Sequence, residues 1–419
     1  MDASKFAALE RASLRRSEYR LRRTIDHNCP TSHALTFEDH QWTESPLPNL
    51  AHLVRRLRSD AWLKSSRRLS DSAPVKARLA AEPWFIDRVD VDGDRVTLDG
   101  WSFSQSGRDR FLLNGEPFES VEFPLPRHDV AKLFWQRQDA AACGFRLTAS
   151  RVGDAYPDGT MRVSRAIESD AIDAGRDSWW LPDPSRHPDL PDADRRFRVI
   201  GNRDPRGFLD SGATDFHRLD SVVRRVTGKA LGAHANVLDW GVGCGRLARH
   251  FPNAGGRLSG CDIDHDNVAW CNDRLRGRFV ASSLQPPLPF ADGEFDVVYG
   301  ISVFTHLRES LQDRWLDELR RVVRPGGIVL TTVHGETAVD FQRLSPAEYH
   351  KLLSAIAAKG LLAGGANHQL DGFVDEPGEY LNVFHHRDYV QRHWQRGFDV
   401  LHVIPGYIFT HDLVVMCAS

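Results

Sequence analysis

The stretch VLDWGVGCGRLARHF, residues 237–251, decides the reading of this chain. An acid, Asp239, stands near the end of a short apolar run that reads as a strand. Gly241, Gly243 and Gly245 follow at alternate positions, and then a run that reads as the start of a helix. Glycines let the backbone turn sharply and approach a ligand closely, and a helix N-terminus offers free N–H groups to an anion. The dinucleotide fingerprint GxGxxG would need a glycine at position 246, which is Arg246. The spacing is Asp-x-Gly-x-Gly-x-Gly.

The next strand, LSGCDID (258–264), ends on Asp262, 23 residues after Asp239. A carboxylate there can accept hydrogen bonds from both hydroxyls of a ribose. Asp264 reads as the cap of a helix over HDNVAWCNDRL. FDVVYGIS is a further strand. Leu311, Trp315, Leu319, Val322 and Val323 mark one face of a helix that stops at RPGG, and IVLTTV is again a strand. Strands alternating with helices predict a parallel sheet with right-handed crossovers. The last two strands, FDVLHVI and HDLVVMCA, are joined by Pro405–Thr410, a loop short enough only for an antiparallel pair.

In this order, VLDWGVGCGRLARHF, LSGCDID, PPLPFADGEFDVVYGISVFTHL and ELRRVVRPGGIVLTT resemble the class I S-adenosylmethionine-dependent methyltransferase family. The resemblance covers residues 197–419 and is similar to a bacterial subgroup often linked to surface polysaccharide. It implies a Rossmann-like α/β domain with an antiparallel last strand, and S-adenosylmethionine as cofactor. Asp239, Gly241, Gly243 and Gly245 would surround the methionine part. Asp262 would hold the ribose and Ile263 would flank the adenine. Ser282, Ser283 and Leu284 would meet the adenine edge, and Gly300, Ile301 and Ser302 would line the methionine side. Ser282 stands where similar sequences often carry Asn or Asp. RVIGNRDPRGFLDSG (198–212) resembles the subgroup's lid, in which Arg203 or Phe208 would touch the cofactor.

A sulfonium methyl is already activated, so the protein's task is to hold the nucleophile in line with it. An alcohol acceptor also benefits from a base. Open α/β sheets place their sites at strand carboxyl ends. His306, after the fourth strand, and His334, after the fifth, are therefore the catalytic candidates. His411 and Asp412 open the last strand, and His385 and His386 precede a helix; structural roles are favoured for these. The expected function is methyl transfer to an acceptor hydroxyl or amine on a bacterial glycan or glycan precursor. The alternatives are a nicotinamide-dependent oxidoreductase, which Arg246 and the RPGG motif argue against, and a non-catalytic glycan-binding protein with a methyltransferase-like domain.

Upstream the texture differs. Between residues 83 and 170, short β-like runs are punctuated by Asp92-Gly93, Asn114-Gly115 and Asp158-Gly159, which predicts a small all-β sandwich-like accessory domain. Trp84, Trp101, Phe103 and Trp135 could stack on sugar rings, but aromatics at strand spacing read first as core. Arg127 and Asp129 read as an ion pair or a corner. Pro182, Pro184, Pro188 and Pro191 make 171–196 a linker. Residues 1–75 read as a helical, partly flexible segment that ends at the SDSAP breaker.

The whole chain has 419 residues, 54 Lys/Arg and 57 Asp/Glu, a net charge of −3, so there is no strong nucleic-acid signal. The (N/D)PPY signature of amino-group modifiers is absent after the fourth strand. Residues 1–80 carry a net +6, and this basic arm could make peripheral contact with an acidic partner or membrane surface. No apolar run reaches the length of a transmembrane span, and MDASKFAALERASLRR lacks the apolar core of a secretory signal. Six cysteines without CxxC or zinc spacing predict a cytoplasmic protein and no metal.

Overall fold

The computed structural model describes residues 83–103, 109–135, 137, 139–150, 159–166, 175–251, 257–367 and 380–419. The helical segment and basic arm expected over 1–75 lie outside these residues. The described chain divides into two compact units, before and after Asp189.

Among the described residues the first unit holds eight strands. β1 (Trp84–Asp92), β2 (Arg95–Ser102), β6 (Ala142–Ser150) and β5 (Ser120–Pro126) form one antiparallel sheet in the order β1-β2-β6-β5. β3 (Arg110–Leu113), β4 (Glu116–Pro117), β7 (Met161–Ala166) and β8 (Ser178–Leu181) form a second, in the order β4-β3-β7-β8. A short helix, α1 (His128–Leu133), follows β5. Alternation puts Val96 and Leu98 of β2, Phe145 and Leu147 of β6, Phe111 and Leu113 of β3, and Met161 and Val163 of β7 into one buried cluster. Trp84 belongs to that cluster, and Trp101 and Phe103 are also fully buried, whereas Trp135 is exposed. Arg127 is a corner: its guanidinium binds both oxygens of Asp129 at 2.9 and 2.8 Å and reaches Asp87 at 2.6 Å.

The stretch 171–196 differs from the linker expected there. Ser178–Leu181 is strand β8, paired along β7 from Met161↔Leu181 to Ser164↔Ser178. The run SWWL is buried on both faces, so it lacks the alternation that marks a half-exposed strand. At the other end Asp192 caps α2 (Ala193–Ile200), accepting from the Asp194 and Arg195 N–H groups.

The second unit is built on one seven-stranded sheet. Its strands are β9 (Val237–Trp240), β10 (Leu258–Asp262), β11 (Arg278–Ala281), β12 (Phe295–Gly300), β13 (Val323–Val333), β16 (Phe398–Ile408) and β17 (His411–Ala418). The order is β11-β10-β9-β12-β13-β17-β16, with the first five parallel. β17 runs antiparallel to β13, and β16 antiparallel to β17. β14 (Leu361–Ala366) and β15 (Leu381–His385) form a separate hairpin sheet.

The helices are α3 (Pro205–Thr227), α4 (His265–Arg274), α5 (Glu309–Val322), α6 (Glu336–Asp340), α7 (Pro346–Lys359) and α8 (Arg387–His393). As expected, Asp264 caps α4, accepting from the Asn267 N–H at 3.0 Å. Leu311, Trp315, Leu319 and Val322 of α5 are buried together with Leu238, Val298 and Val329 of the sheet.

The helix expected over GRLARHF is not one. Among the described residues it is a single turn, Ala248–His250. Phe251 is already extended, with φ −74° and ψ 116°. Pro252 follows it in the sequence, and a proline disfavours the helical conformation for the residue before it.

Candidate functional site

The glycine run leaves β9 on three residues with positive φ: Gly241 at +83°, Gly243 at +53° and Gly245 at +77°. L-residues resist that conformation. Space also excludes a side chain. A Cβ on Gly241 would lie 2.6 Å from Val303, one on Gly243 2.7 Å from Val199, and one on Gly245 2.2 Å from Leu275. The N–H groups of Gly241 and Val242 both turn to the Cys261 carbonyl, at 2.8 and 3.0 Å. This ties the loop to the end of β10.

Asp239 is buried, and its Oδ2 accepts the Tyr299 hydroxyl at 3.0 Å. Burial pushes its carboxyl up to about 7, against the opposing pull of Tyr299 and Arg246. Arg246 in turn binds Asp215 of α3 at 2.6 Å. Asp262 accepts the Gly243 N–H at 2.7 Å on one oxygen and the Asp264 N–H at 2.8 Å on the other. Burial raises it to about 6, while these two backbone bonds pull the other way.

Ser282 continues from β11 and donates its N–H to the Asp262 carbonyl at 2.9 Å. Ser283 donates its hydroxyl to the Gln285 carbonyl, and the Leu284 carbonyl accepts the Trp315 indole at 3.0 Å. Half-buried Ile263 follows Asp262 directly. The carboxyl ends of β9, β10 and β11 are neighbours in the sheet, so all of these residues share one edge.

Gly300, Ile301 and Ser302 extend the same edge from β12. A Cβ on Gly300 would press on Trp240 at 2.6 Å. Ser302 is a non-glycine residue at φ +61°, held by its N–H bond to Thr332 Oγ1 at 2.8 Å. Such strain persists only where surroundings impose it. Here the Phe304–His306 turn is anchored by Phe304, which packs between Trp240 and Trp394 with centroids at 5.0 and 4.6 Å.

Four histidines gather at the end of β13. His306 donates Nδ1–H to the Leu381 carbonyl at 2.8 Å, and its Nε2 lies 3.3 Å from the Ser302 hydroxyl. Its ring stacks on Tyr380 at 4.2 Å. His334 lies with its ring centroid 6.1 Å from His306. Its Nε2 faces His411 Nε2 at 3.1 Å. His385 hydrogen-bonds the Gln312 side chain through Nε2 at 2.9 Å, and its N–H donates to the His334 carbonyl at 2.7 Å. Burial drives His385 and His411 down to about 3 and His334 well below its usual value. All three are neutral at pH 7.

Sequence grounds favour a structural role for His411, because it opens a strand rather than closing one. The antiparallel course of β17 reverses that logic: Asp412 pairs with Val333, so the start of β17 lies at the carboxyl edge. His386 instead caps α8, accepting the Asp388 N–H. Of the two lid candidates, Phe208 is fully buried in α3. Arg203 is exposed, pairs with Asp194 at 3.0 Å and lies over the Phe197 ring. From this segment Val199 lies against Gly243, and Arg198 Nε binds Asp264 at 2.7 Å.

The residues present fit a nucleoside cofactor. Each Asp262 oxygen takes one backbone N–H and retains a further acceptor site at the end of its strand, the chemistry a ribose diol requires. The Gly243 N–H of the glycine loop bonds Asp262 directly. Among the described residues no group of three or more His, Cys, Asp or Glu side chains has the arrangement of a metal site.

A sequence profile described as a methyltransferase domain matches residues 238–331. A tRNA (carboxymethyluridine(34)-5-O)-methyltransferase of Arabidopsis thaliana is 36% identical over 98 residues, 23% of this chain and 23% of that one. A malonyl-[acyl-carrier protein] O-methyltransferase of Geobacter sulfurreducens is 30% identical over 176 residues, 39% of this chain and 63% of that one. The chain thus spans less than two thirds of either relative. The crystal structure of magnesium protoporphyrin IX methyltransferase from Synechocystis PCC 6803 with bound SAH overlaps 54% of this chain and 93% of that one, at 16% identity and a TM-score of 0.35. Residues 238–331 are thus similar to a methyltransferase domain.

Proposed function

We propose that this protein transfers the methyl group of S-adenosylmethionine to an acceptor hydroxyl or amine, and that the acceptor is a bacterial glycan or glycan precursor in the cytoplasm. When bound, the cofactor supplies an electrophilic methyl on a sulfonium. Asp262 would hold its ribose, and Asp239 with the glycine loop would hold its methionine part. Ser282, Ser283 and Leu284 would border the adenine, and Ser302 would border the acceptor side.

The observation that carries the reading is the neutral histidine cluster at the edge where β12, β13 and β17 meet. A hydroxyl must lose its proton as it is methylated, and a positioned neutral imidazole accelerates such a transfer by about 10²–10⁴. Histidines kept uncharged by burial would not repel a sulfonium. For the acceptor class, Trp135 of the β unit offers an exposed aromatic surface of the kind on which a sugar ring stacks. The Geobacter relative is named for an acyl-carrier substrate, so an acyl acceptor is the competing class.

Calorimetric titration with S-adenosylmethionine and S-adenosylhomocysteine, with NADH as control, tests the cofactor half. Saturable binding lost in Asp262→Ala supports the proposal. Release of S-adenosylhomocysteine is then followed with oligosaccharides, fatty acids and tRNA in parallel. Turnover confined to fatty acids or tRNA would refute the glycan assignment and leave methyl transfer standing.

A further inference from the structure

Gly212 and Asp215 stand three residues apart on α3, so they share one face of the helix. That face meets the end of the glycine run. A Cβ on Gly212 would lie 2.4 Å from the Arg246 carbonyl and 3.1 Å from its Cγ, so only a bare helix surface admits the Arg246 stem there. One turn on, Asp215 accepts the Arg246 Nη1–H at 2.6 Å, with both side chains largely buried. This pairing uses one nitrogen of the guanidinium. Among the described residues, Nε and Nη2 of Arg246 take no hydrogen bond, and neither is sealed from solvent.

Nε and Nη2 form the side-on edge of the guanidinium, whose parallel N–H groups match the two oxygens of a carboxylate. The other arginines around the loop are engaged or closed off. Arg198 binds Asp264, Arg203 binds Asp194 and Arg206 binds Asp210. Arg249 gives Nη1 to the Asp189 carbonyl at 3.2 Å and lies over the Phe208 and Trp270 rings, with its Nε and Nη2 shut away from solvent. Arg246 instead follows Gly245 directly. Its charge is felt at Asp239 of β9, Tyr299 of β12 and His411 of β17, as its place between α3 and the carboxyl edge of the sheet requires. The methionine part of the cofactor ends in an ammonium and a carboxylate. Asp239 and Asp262 are acids and would repel the carboxylate, whereas a cation with two open parallel donors suits it.

We propose that Arg246 binds the α-carboxylate of the cofactor's methionine part through its Nε–Nη2 edge, and that Asp215 is a positioning residue that holds the guanidinium with this edge open. The inference deepens the methyl-transfer reading above and rests on it. Asp239 is then left for the ammonium, so the two charges of the methionine part meet two opposite charges of the protein. A ligand without the carboxylate leaves the Arg246 edge unpaired on a largely desolvated surface and binds more weakly. Lysine cannot replace the arginine, because a single ammonium does not present one edge to Asp215 and a second, fixed edge to a carboxylate.

The test is calorimetric, on the full chain, with three ligands. S-adenosylhomocysteine carries both charged groups. Its decarboxylated analogue, S-adenosyl-3-thiopropylamine, keeps the ammonium alone, and 5′-methylthioadenosine has neither. Wild type should bind S-adenosylhomocysteine about 10–100-fold more tightly than the decarboxylated analogue. Arg246→Gln/Asp215→Asn leaves no orphaned buried carboxylate. It should lose most of that preference and bind 5′-methylthioadenosine as wild type does. Arg246→Lys keeps the charge beside Asp215 and should also lose most of the preference, which gives the same reading if the neutral pair fails to fold. Asp215→Asn should lower the preference severalfold, and Asp215→Glu should restore it. Equal weakening of all three ligands in Asp215→Asn is what a merely structural residue would give, and it overturns the positioning role. An undiminished preference in the double variant or in Arg246→Lys, or no preference in wild type, overturns the carboxylate assignment. Wild type that binds none of the three ligands overturns the methyl-transfer reading itself, so the two failures are distinct.

Discussion

Tyr299 and Asp239 are direct cross-strand partners on β12 and β9, and the Tyr299 hydroxyl donates to Asp239 Oδ2 at 3.0 Å. Both are buried, so this bond is a main counterweight to the desolvation that lifts Asp239 to about 7. Tyr299→Phe removes it. The Asp239 carboxyl should then be largely protonated at pH 7, and the pH midpoint for S-adenosylmethionine binding should move upward. Calorimetry from pH 6 to 9 measures this, and an unmoved midpoint would separate Asp239 from cofactor binding.

The same residue has a stability signature of defined sign. A buried acid whose folded-state value is raised destabilises the fold increasingly as pH climbs from its unfolded value, 3.8, toward about 7. Asp239→Asn should therefore gain stability relative to wild type across that window and level off above it, by about 1–3 kcal/mol. Paired thermal melts of the cofactor-free proteins at pH 4.5, 6 and 7.5 give the difference. A constant offset would mean that Asp239 does not titrate in this range.

Gly243→Ala places a Cβ at φ +53° and 2.7 Å from Val199. The backbone conformation and the overlap together should destabilise by about 1–3 kcal/mol and weaken cofactor binding. The double variant Gly243→Ala/Val199→Ala removes the overlap but not the backbone strain, so it should recover only part of the loss. Full recovery would show that crowding by α2 alone requires glycine there.

These contrasts show what local sequence can and cannot carry. Gly241, Gly243, Gly245 and Asp262 were legible because a left-handed turn and a strand-end acid each have a local residue requirement. The cap at Asp264 was legible for the same reason. Strand β8 was not, because Trp179 and Trp180 are buried on opposite faces and prolines crowd the run beyond them. The truncated helix after Gly245 could have been read from Pro252. The placement of His411 could not: it depends on Asp412 standing beside Val333 across the sheet, a register that no short window of sequence encodes. The Arg198–Asp264 pairing is likewise long-range, joining residues 66 positions apart.

In the β unit, Arg165 is almost wholly buried. Its Nη1 binds the Ser102 hydroxyl at 2.7 Å and the Phe103 carbonyl at 3.2 Å, and its guanidinium lies 3.8 Å from Asp109 and 3.4 Å from Asp177. Removing one partner of a buried pair leaves an uncompensated charge, at about 3–5 kcal/mol. Arg165→Met should lose stability on that scale in thermal or urea unfolding. Arg165→Met/Asp109→Asn should recover a substantial part, because the orphaned carboxylate goes with it. A double variant no better than the single would place the loss in the contacts to Ser102 and Phe103 instead.

Arg198 sits on α2, and its Nε binds Asp264 Oδ2 at 2.7 Å, with Asp264 almost fully buried. Asp264 also takes the Asn267 N–H and side-chain amide, at 3.0 and 2.9 Å, and gives its own N–H to Asp262. One ion pair therefore links the segment over the glycine loop to the carboxylate assigned to the ribose. Arg198→Ala leaves the α4 cap its two Asn267 donors, so global stability should fall by no more than about 1–2 kcal/mol. The larger effect belongs to α2, which loses its tie to the loop. Amide exchange over 193–200 should speed up, and S-adenosylmethionine affinity should fall about tenfold, the equivalent of about 1.4 kcal/mol. Arg198→Lys keeps the charge but not the directed Nε–H and should fall between the two. Faster exchange with unchanged affinity would show that α2 covers the loop without taking part in holding the cofactor.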